Sequence, residues 1–310
     1  MKKVFIDGRE GTTGLLIYDR LADFEGIELL TLSEEERKST AKRREMINSS
    51  DITFLCLPDD AARESVSLVE NDAVKIIDTS TAHRTLPGWA YGFPELSRAY
   101  RFAIASGSRI AVPGCHASGF ISAVYPLVAS GAVGRDYPFV CFSVTGYTGG
   151  GKKMIAQYES CTDSSLDAPR QYATAQQHKH LKEMKAIPSL ENEPVFCPVV
   201  ANYPRGMEVT VPLIPRLLDK KLTAQDVCEI LSQNYDSQPL VTVLPYTGEN
   251  ASLSADTLAG KDNMVISVEG NDDRILIVSR FDNLGKGASA AAVQCMNILL
   301  GNPEATGLVI

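Results

Sequence analysis

One cysteine stands where a chain turn opens a helical pattern. In Ala111-Val112-Pro113-Gly114-Cys115-His116-Ala117-Ser118-Gly119 an apolar strand end meets Pro-Gly, and Cys115 follows at once. A thiol at a helix N-terminus is favoured as the thiolate, because the helix dipole and the unbonded backbone N–H groups stabilise negative charge. The thiolate is the nucleophile, and the same N–H groups can hold a developing oxyanion. Such chemistry needs a proton carrier, and the chain has four histidines, His83, His116, His178 and His180. His116 adjoins the cysteine but, on a helix, would project to a different side. His178 and His180 flank Lys179 in a polar stretch and suit a general acid/base or an anion clamp. The spacing does not choose between them.

A second constellation binds rather than reacts. Gly8, Gly11 and Gly14, with Thr12 and Thr13 between the last two, form Gly-x-x-Gly-x-x-Gly between a short apolar run and a helical pattern. Glycines there allow a tight turn and close approach of a pyrophosphate to backbone N–H groups at the helix start. The end of the second strand distinguishes the two dinucleotides: an acid holds a ribose 2′-hydroxyl, whereas a cation accepts a 2′-phosphate. Ser33 stands where the acid is usual, with Arg37 and Lys38 following, which leans to NADP(H). Two further anion-binding candidates are Arg84, in the loop after the fourth strand, and the turn Gly146-Tyr147-Thr148-Gly149-Gly150-Gly151-Lys152-Lys153.

The elements that must position these residues are legible from the apolar pattern. Runs at 4–7, 27–32, 52–57 and 74–79 read as strands, and stretches at 12–24, 40–48 and 59–70 read as helices. This alternation implies a parallel sheet covered on both faces. Beyond Cys115 a helix over 117–130 is followed by longer strand-like runs at 139–145, 207–214, 240–244, 264–269 and 274–281. Thr223 and Asp226 open a helix over 223–235 as a capping box, and an Ala-rich helix spans 285–300. The polar, proline-containing region 159–202 reads as loops and short helices. The fold class is therefore α/β: a Rossmann-type parallel-sheet domain over 1–116, completed by the C-terminal helix 285–310, and an α+β domain over 117–284 with a mixed or antiparallel sheet.

Composition bounds the partners. The 310 residues are 44% hydrophobic and 22% charged, ordinary globular values. A net charge of −8 without a broad basic patch argues against nucleic acid, while leaving room for a locally positive pocket. Asp7 and Gly8 cut short the apolar run at the N-terminus, so it reads as a strand, and no run of about 18 apolar residues suggests a membrane span. Seven cysteines with no Cys-x-x-Cys pair fit reduced thiols in a cytoplasm better than disulfides or a metal site.

Together these segments resemble the shorter form of the N-acetyl-gamma-glutamyl-phosphate reductases, in the aspartate-semialdehyde dehydrogenase-like superfamily. The resemblance is carried by Gly8 to Gly14, Leu55-Cys56-Leu57-Pro58-Asp59-Asp60-Ala61-Ala62, Asp78 to Arg84, Tyr91-Gly92-Phe93-Pro94-Glu95-Leu96, Val112 to Gly119, Gly146 to Lys153 and Asp282-Asn283-Leu284-Gly285-Lys286-Gly287-Ala288. It implies NADPH-dependent reduction of an N-acetyl-glutamyl phosphate to the semialdehyde, with phosphate released and Cys115 as nucleophile. The family's His-x-His segment matches His178-Lys179-His180, with Lys179 where arginine is usual, and His180 is favoured as acid/base with His178 in reserve. It further implies cofactor contacts from Leu57, Pro58, Ser80 and Asn283, substrate contacts from Arg84, Glu95, Gly149 and Lys152, and a homo-oligomer, dimer or tetramer. Sister enzymes acting on aspartyl or aminoadipate-type acyl phosphates, and a non-catalytic NADP-binding sensor, are the alternatives.

Overall fold

The structure is a computed structural model that describes residues 1–250 and 252–310. The chain forms two compact units: Met1–Pro94, Arg98–Pro113 and Ala288–Leu308 make the first, and Glu95–Ser97, Gly114–Gly287 and Val309–Ile310 the second. Cys115 and His116, placed by the sequence at the end of the first domain, thus belong to the second unit.

In the first unit, strands β1 (Lys2–Asp7), β2 (Ile27–Leu30), β3 (Ile52–Leu55), β4 (Lys75–Asp78), β5 (Ala90–Tyr91) and β6 (Arg109–Ala111) form a parallel sheet of order β2-β1-β3-β4-β6-β5. Helices α1 (Thr12–Leu21), α2 (Thr40–Ser49), α3 (Asp59–Ser67) and α4 (Arg98–Ser106) connect them, and the C-terminal helix Ala290–Leu300 packs on the same unit. Side chains alternate across β1. Val4 and Ile6 enter a core with Ile17, Phe54, Ile110 and Met296, whereas Phe5 packs with Ile47 and Leu68 on the opposite face. Burial of both faces is why these strands read as continuous apolar runs. The strand order reverses at β1, and such a switch point leaves a crevice beyond the carboxyl ends of the neighbouring strands.

The second unit holds α5 (Cys115–Ala129), β7 (Val140–Gly146), α6 (Gly151–Glu159), β8 (Arg170–Gln171), α7 (Leu181–Ala186), β9 (Val195–Ala201), β10 (Met207–Leu213), α8 (Ala224–Asn234), β11 (Val241–Val243), β12 (Met264–Asn271) and β13 (Arg274–Phe281). Its mixed sheet has the order β11-β12-β13-β10-β7-β9-β8, with β11/β12 and β7/β9 parallel and the other pairs antiparallel. Helix α5 lies directly on the sheet at Gly119, where a Cβ would stand 2.4 Å from Val209 Cγ2 and 3.0 Å from the Phe281 ring. The capping box of Thr223 and Asp226 is formed at the start of α8.

Two expectations need correction. The region 159–202 carries a full strand, β9, inside the sheet rather than only loops and short helices. Pro198 interrupts its apolar run and suppresses the strand signal, yet its ring is accommodated in the parallel pairing with Ser143 of β7. The helix expected over 285–300 begins instead as a wide turn, Gly285–Ser289, before regular α-helix starts at Ala290. The Asp282 carboxylate accepts the N–H groups of Leu284 and Gly285, and Gly287 N–H reaches back to the Asp282 carbonyl. That five-residue closure is a π-type turn, a geometry that recurs at functional sites.

Candidate active site

Cys115 is the first residue of α5, with Gly114 as N-cap in extended conformation (φ −77°, ψ 147°). The N–H of Ser118 closes the first helical bond on the Gly114 carbonyl, leaving the preceding N–H groups without intrahelical partners. Two neighbours pack against this helix start. Glu183, buried on α7, accepts the Gly114 N–H at 3.2 Å through Oε2. On the other flank, a Cβ at Gly287 would come within 2.9 Å of Cys115 Cβ, so the chain can pass there only as glycine.

Around this helix start lies a cluster of rings. His178 and His180 meet edge to face with centroids 4.6 Å apart, and His116 stands 5.8 Å from the first and 5.7 Å from the second. His180 is the N-cap of α7 and is buried, and its backbone N–H donates to His178 Nδ1 at 3.2 Å. Phe196 of β9 closes the cluster, 5.2 Å from His116 and 5.1 Å from His178.

His116 and Tyr172 are members that sequence reasoning missed. The His116 ring shares hydrogen bonds with Ser143 Oγ (Nδ1, 2.7 Å) and with the Tyr172 hydroxyl (Nε2, 2.6 Å). Burial, with a smaller contribution from His178, pushes His116 down to about 3, so it is a neutral linker. Burial first, and the charge at Cys115 second, push the Tyr172 phenol up, so it stays protonated. The expectation that His116 turns away came from helical projection alone; strand β7, which supplies Ser143, draws it into the cluster.

The neutrality of His116 has a measurable consequence. The unfolded chain takes up this proton near pH 6.5, and the folded chain refuses it until about 3. Between those values the unfolded state binds more protons, so stability falls as the pH drops through that window. In NMR spectra the His116 imidazole is expected to keep its neutral shift at about pH 5, where an ordinary histidine is protonated. A His116 resonance titrating near the ordinary histidine value would contradict the placement.

The remaining substrate candidates fall in three settings. Glu95 Oε1 accepts from Lys286 Nζ at 2.6 Å, and both residues are almost wholly buried, so the pair braces the wide turn that carries Gly287. Gly149 lies in the short turn Tyr147–Gly150, and Lys152 is exposed in the first turn of α6. Arg84 is in the first unit, where Nε donates to the Val112 carbonyl at 2.8 Å and Nη2 to the Thr79 carbonyl at 3.1 Å. Asn283, expected as a cofactor contact, is in the second unit instead and clamps two loops: its Nδ2 donates to Thr148 Oγ1 at 3.0 Å, and its Oδ1 accepts from Gly206 N–H at 2.9 Å.

Five of the cofactor candidates line a cavity of about 470 Å³ at the switch point. Gly8 and Gly11 of the turn, Arg37, and Leu57 with Pro58 after β3 line it. Gly8 takes φ +88°, and a Cβ there would meet the Cys56 carbonyl at 2.4 Å. Gly14 is equally constrained, since a Cβ would lie 2.4 Å from the Gly8 carbonyl. Thr12, the first residue of α1, has a buried hydroxyl with no hydrogen-bond partner, and Thr13 follows it in the first turn. A buried orphan hydroxyl at a helix N-terminus beside a glycine cradle fits the pyrophosphate of a dinucleotide. Ser33 and Lys38 do not line the cavity. Ser33 Oγ accepts from Glu36 N–H at 3.3 Å, and Lys38 ends the short turn Glu36–Lys38. Ser80 is engaged by Asp78, to which its N–H and hydroxyl donate at 2.9 and 2.7 Å.

Comparison with known proteins matches both units. The family described as semialdehyde dehydrogenase, NAD binding domain, fits residues 3–102, and semialdehyde dehydrogenase, dimerisation domain, fits residues 115–283. The chain is 42% identical to N-acetyl-gamma-glutamyl-phosphate reductase 2 of Nostoc sp. (strain PCC 7120), covering 99% of each chain. It is 44% identical to the N-acetyl-gamma-glutamyl-phosphate reductase of Sinorhizobium fredii over 96% of this chain and 98% of the other. In fold it is similar to aspartate semialdehyde dehydrogenase II of Vibrio cholerae, with a TM-score of 0.72 at 17% identity over 97% of this chain and 98% of that one. A thiol at a helix start, a histidine cluster beside it and a dinucleotide cradle in a separate unit thus accompany close sequence similarity over the whole length, and the chain belongs to the N-acetyl-gamma-glutamyl-phosphate reductase family.

Proposed function

We propose that this chain reduces N-acetyl-glutamyl 5-phosphate to N-acetyl-glutamate 5-semialdehyde, releasing phosphate, through a thioester on Cys115. The observation that carries the reading is Cys115 at the first position of α5, beside the His178–His180 pair, in a chain so similar to reductases of that name. The N-terminus of α5 favours the thiolate, which attacks the acyl carbonyl. A C–S bond forms, the bond from the acyl carbon to the phosphate oxygen breaks, and phosphate leaves with the electron pair. The N–H groups at the start of α5 stabilise the oxyanion of that step. The glycine turn, Thr12, Leu57 and Pro58 would hold NADPH, which would supply a hydride for the thioester carbon. His180 gives a proton to the oxyanion left by hydride addition and takes it back as the C–S bond breaks, so that the aldehyde forms and the sulfur departs as thiolate.

The open face of the mixed sheet supports a homodimer. Phe142, Val195 and Leu276 are 43%, 54% and 37% exposed, in strands β7, β9 and β13, in the region that matches a dimerisation domain. Apolar exposure of this kind marks an association surface. A reducing cytoplasm is the proposed compartment, in keeping with seven cysteines and a reaction that depends on a thiolate.

The test of substrate is the reverse reaction, run with phosphate, NADP and one semialdehyde at a time. N-acetyl-glutamate 5-semialdehyde is expected to give phosphate-dependent NADPH formation, with aspartate and aminoadipate semialdehydes slower by at least about 100-fold. Faster turnover of aspartate semialdehyde would overturn the substrate assignment.

A further inference from the structure

The cavity at the switch point receives three guanidinium groups, from Arg9, Arg37 and Arg43. Arg43 is held by Asp7: its Nε donates to Oδ1 and Oδ2 at 3.2 and 3.1 Å, and its Nη2 to Oδ2 at 3.0 Å. Arg37 is paired with Glu34 at 2.7 Å and lies 3.6 Å from Glu10. Arg9 differs from both. Its guanidinium carbon lies 4.0 Å over the centre of the Tyr18 ring, and its Nε is buried with no hydrogen-bond partner. Tyr18 and Arg9 both line the cavity.

The acceptors of the cavity tell the same story. Asp7 is buried and its carboxylate already takes Arg43 and the Ser65 hydroxyl, the latter at 2.7 Å. Thr31 and Leu32 line the cavity after β2, where a protein that selects a ribose 2′-hydroxyl carries an acid. The wall that meets the adenosine end of a dinucleotide therefore carries three guanidinium groups against two carboxylates, Asp7 and Glu10, each of which faces an arginine. A guanidinium backed by an aromatic ring is planar and presents a fork to phosphate oxygens, and its free face can stack on a purine.

We propose that Arg9, held flat by Tyr18, is the specificity residue for a nucleoside 2′-phosphate: it pairs with the phosphate and stacks on the adenine. The assignment rests on the NADP reading given above, and it moves the discriminating charge from Arg37 and Lys38, after β2, into the glycine turn itself.

Binding calorimetry with 2′,5′-ADP and 5′-AMP tests it without turnover. Wild type should bind 2′,5′-ADP about 10- to 100-fold more tightly than 5′-AMP, the range of one or two charge-assisted bonds. Arg9→Gln should lose most of that preference while 5′-AMP affinity falls only severalfold, through lost stacking. Arg9→Lys, which keeps the charge and loses the planar fork, should fall between them, and Arg37→Gln should keep most of the preference. Unchanged thermal unfolding of the variants separates lost recognition from lost folding. A wild-type preference that survives Arg9→Gln overturns the assignment of Arg9 alone. Equal binding of both nucleotides by wild type overturns the NADP reading, and the proposal with it.

Discussion

Cys115→Ser is expected to lower kcat by at least about 10⁴-fold, the scale on which removing a nucleophile from a covalent mechanism acts. Serine fits the space, so the loss is chemical. A hydroxyl at the first position of α5 is far harder to ionise than a thiol, and an ester carbonyl accepts hydride less readily than a thioester. Cofactor binding should be unchanged, because the glycine turn and the 470 Å³ cavity lie in the first unit while Cys115 lies in the second. Steady-state assays alongside NADPH calorimetry check both halves. In the wild type, iodoacetamide should label Cys115 ahead of Cys56 and Cys141, whose thiols burial pushes up, that of Cys56 to about 12.

His180→Gln should lower kcat by roughly 10²- to 10⁴-fold, the usual contribution of a positioned acid/base, with a much smaller change in KM. Four neighbouring groups could carry the proton, and their surroundings favour the proposed His180. His116 is held neutral between two hydroxyls, and Tyr172 is held protonated. His178 accepts the backbone N–H of His180 through Nδ1, which makes it a support for its neighbour. His180 caps α7, the helix whose Glu183 holds the Gly114 N–H, so the proposed acid/base and the proposed nucleophile are tied through two short links. His178→Gln should therefore cost less than His180→Gln. The reverse order would move the acid/base role to His178.

The parts of this account that were legible in the sequence share a local cause. The glycine spacing, the Pro-Gly-Cys helix start and the capping box at Thr223 are each specified within a few residues. The parallel sheet was legible because both its faces are buried and its strands read as unbroken apolar runs. What the sequence concealed depends on contacts between distant segments. Ser143 and Tyr172 reach His116 from positions 27 and 56 residues away, and Lys286 reaches Glu95 across 191. Arg9 could be read only as part of a turn, because its partner Tyr18 lies a turn and a half along α1 and its fellow cations come from elsewhere. Pro198 hid strand β9, and the wide turn before Ala290 left no periodic trace, since Asp282 and the glycines set its geometry.

The central claim is a covalent bond between the substrate's acyl carbon and the sulfur at the start of α5. Wild-type protein mixed with N-acetyl-glutamyl 5-phosphate in the absence of reductant, quenched in acid and weighed intact, should gain one N-acetyl-glutamyl group. Peptide mapping should place that group on Cys115, hydroxylamine should remove it, and Cys115→Ser should gain nothing under the same quench. Full turnover with no such adduct at any quench time, or an adduct on a different residue, would contradict the account.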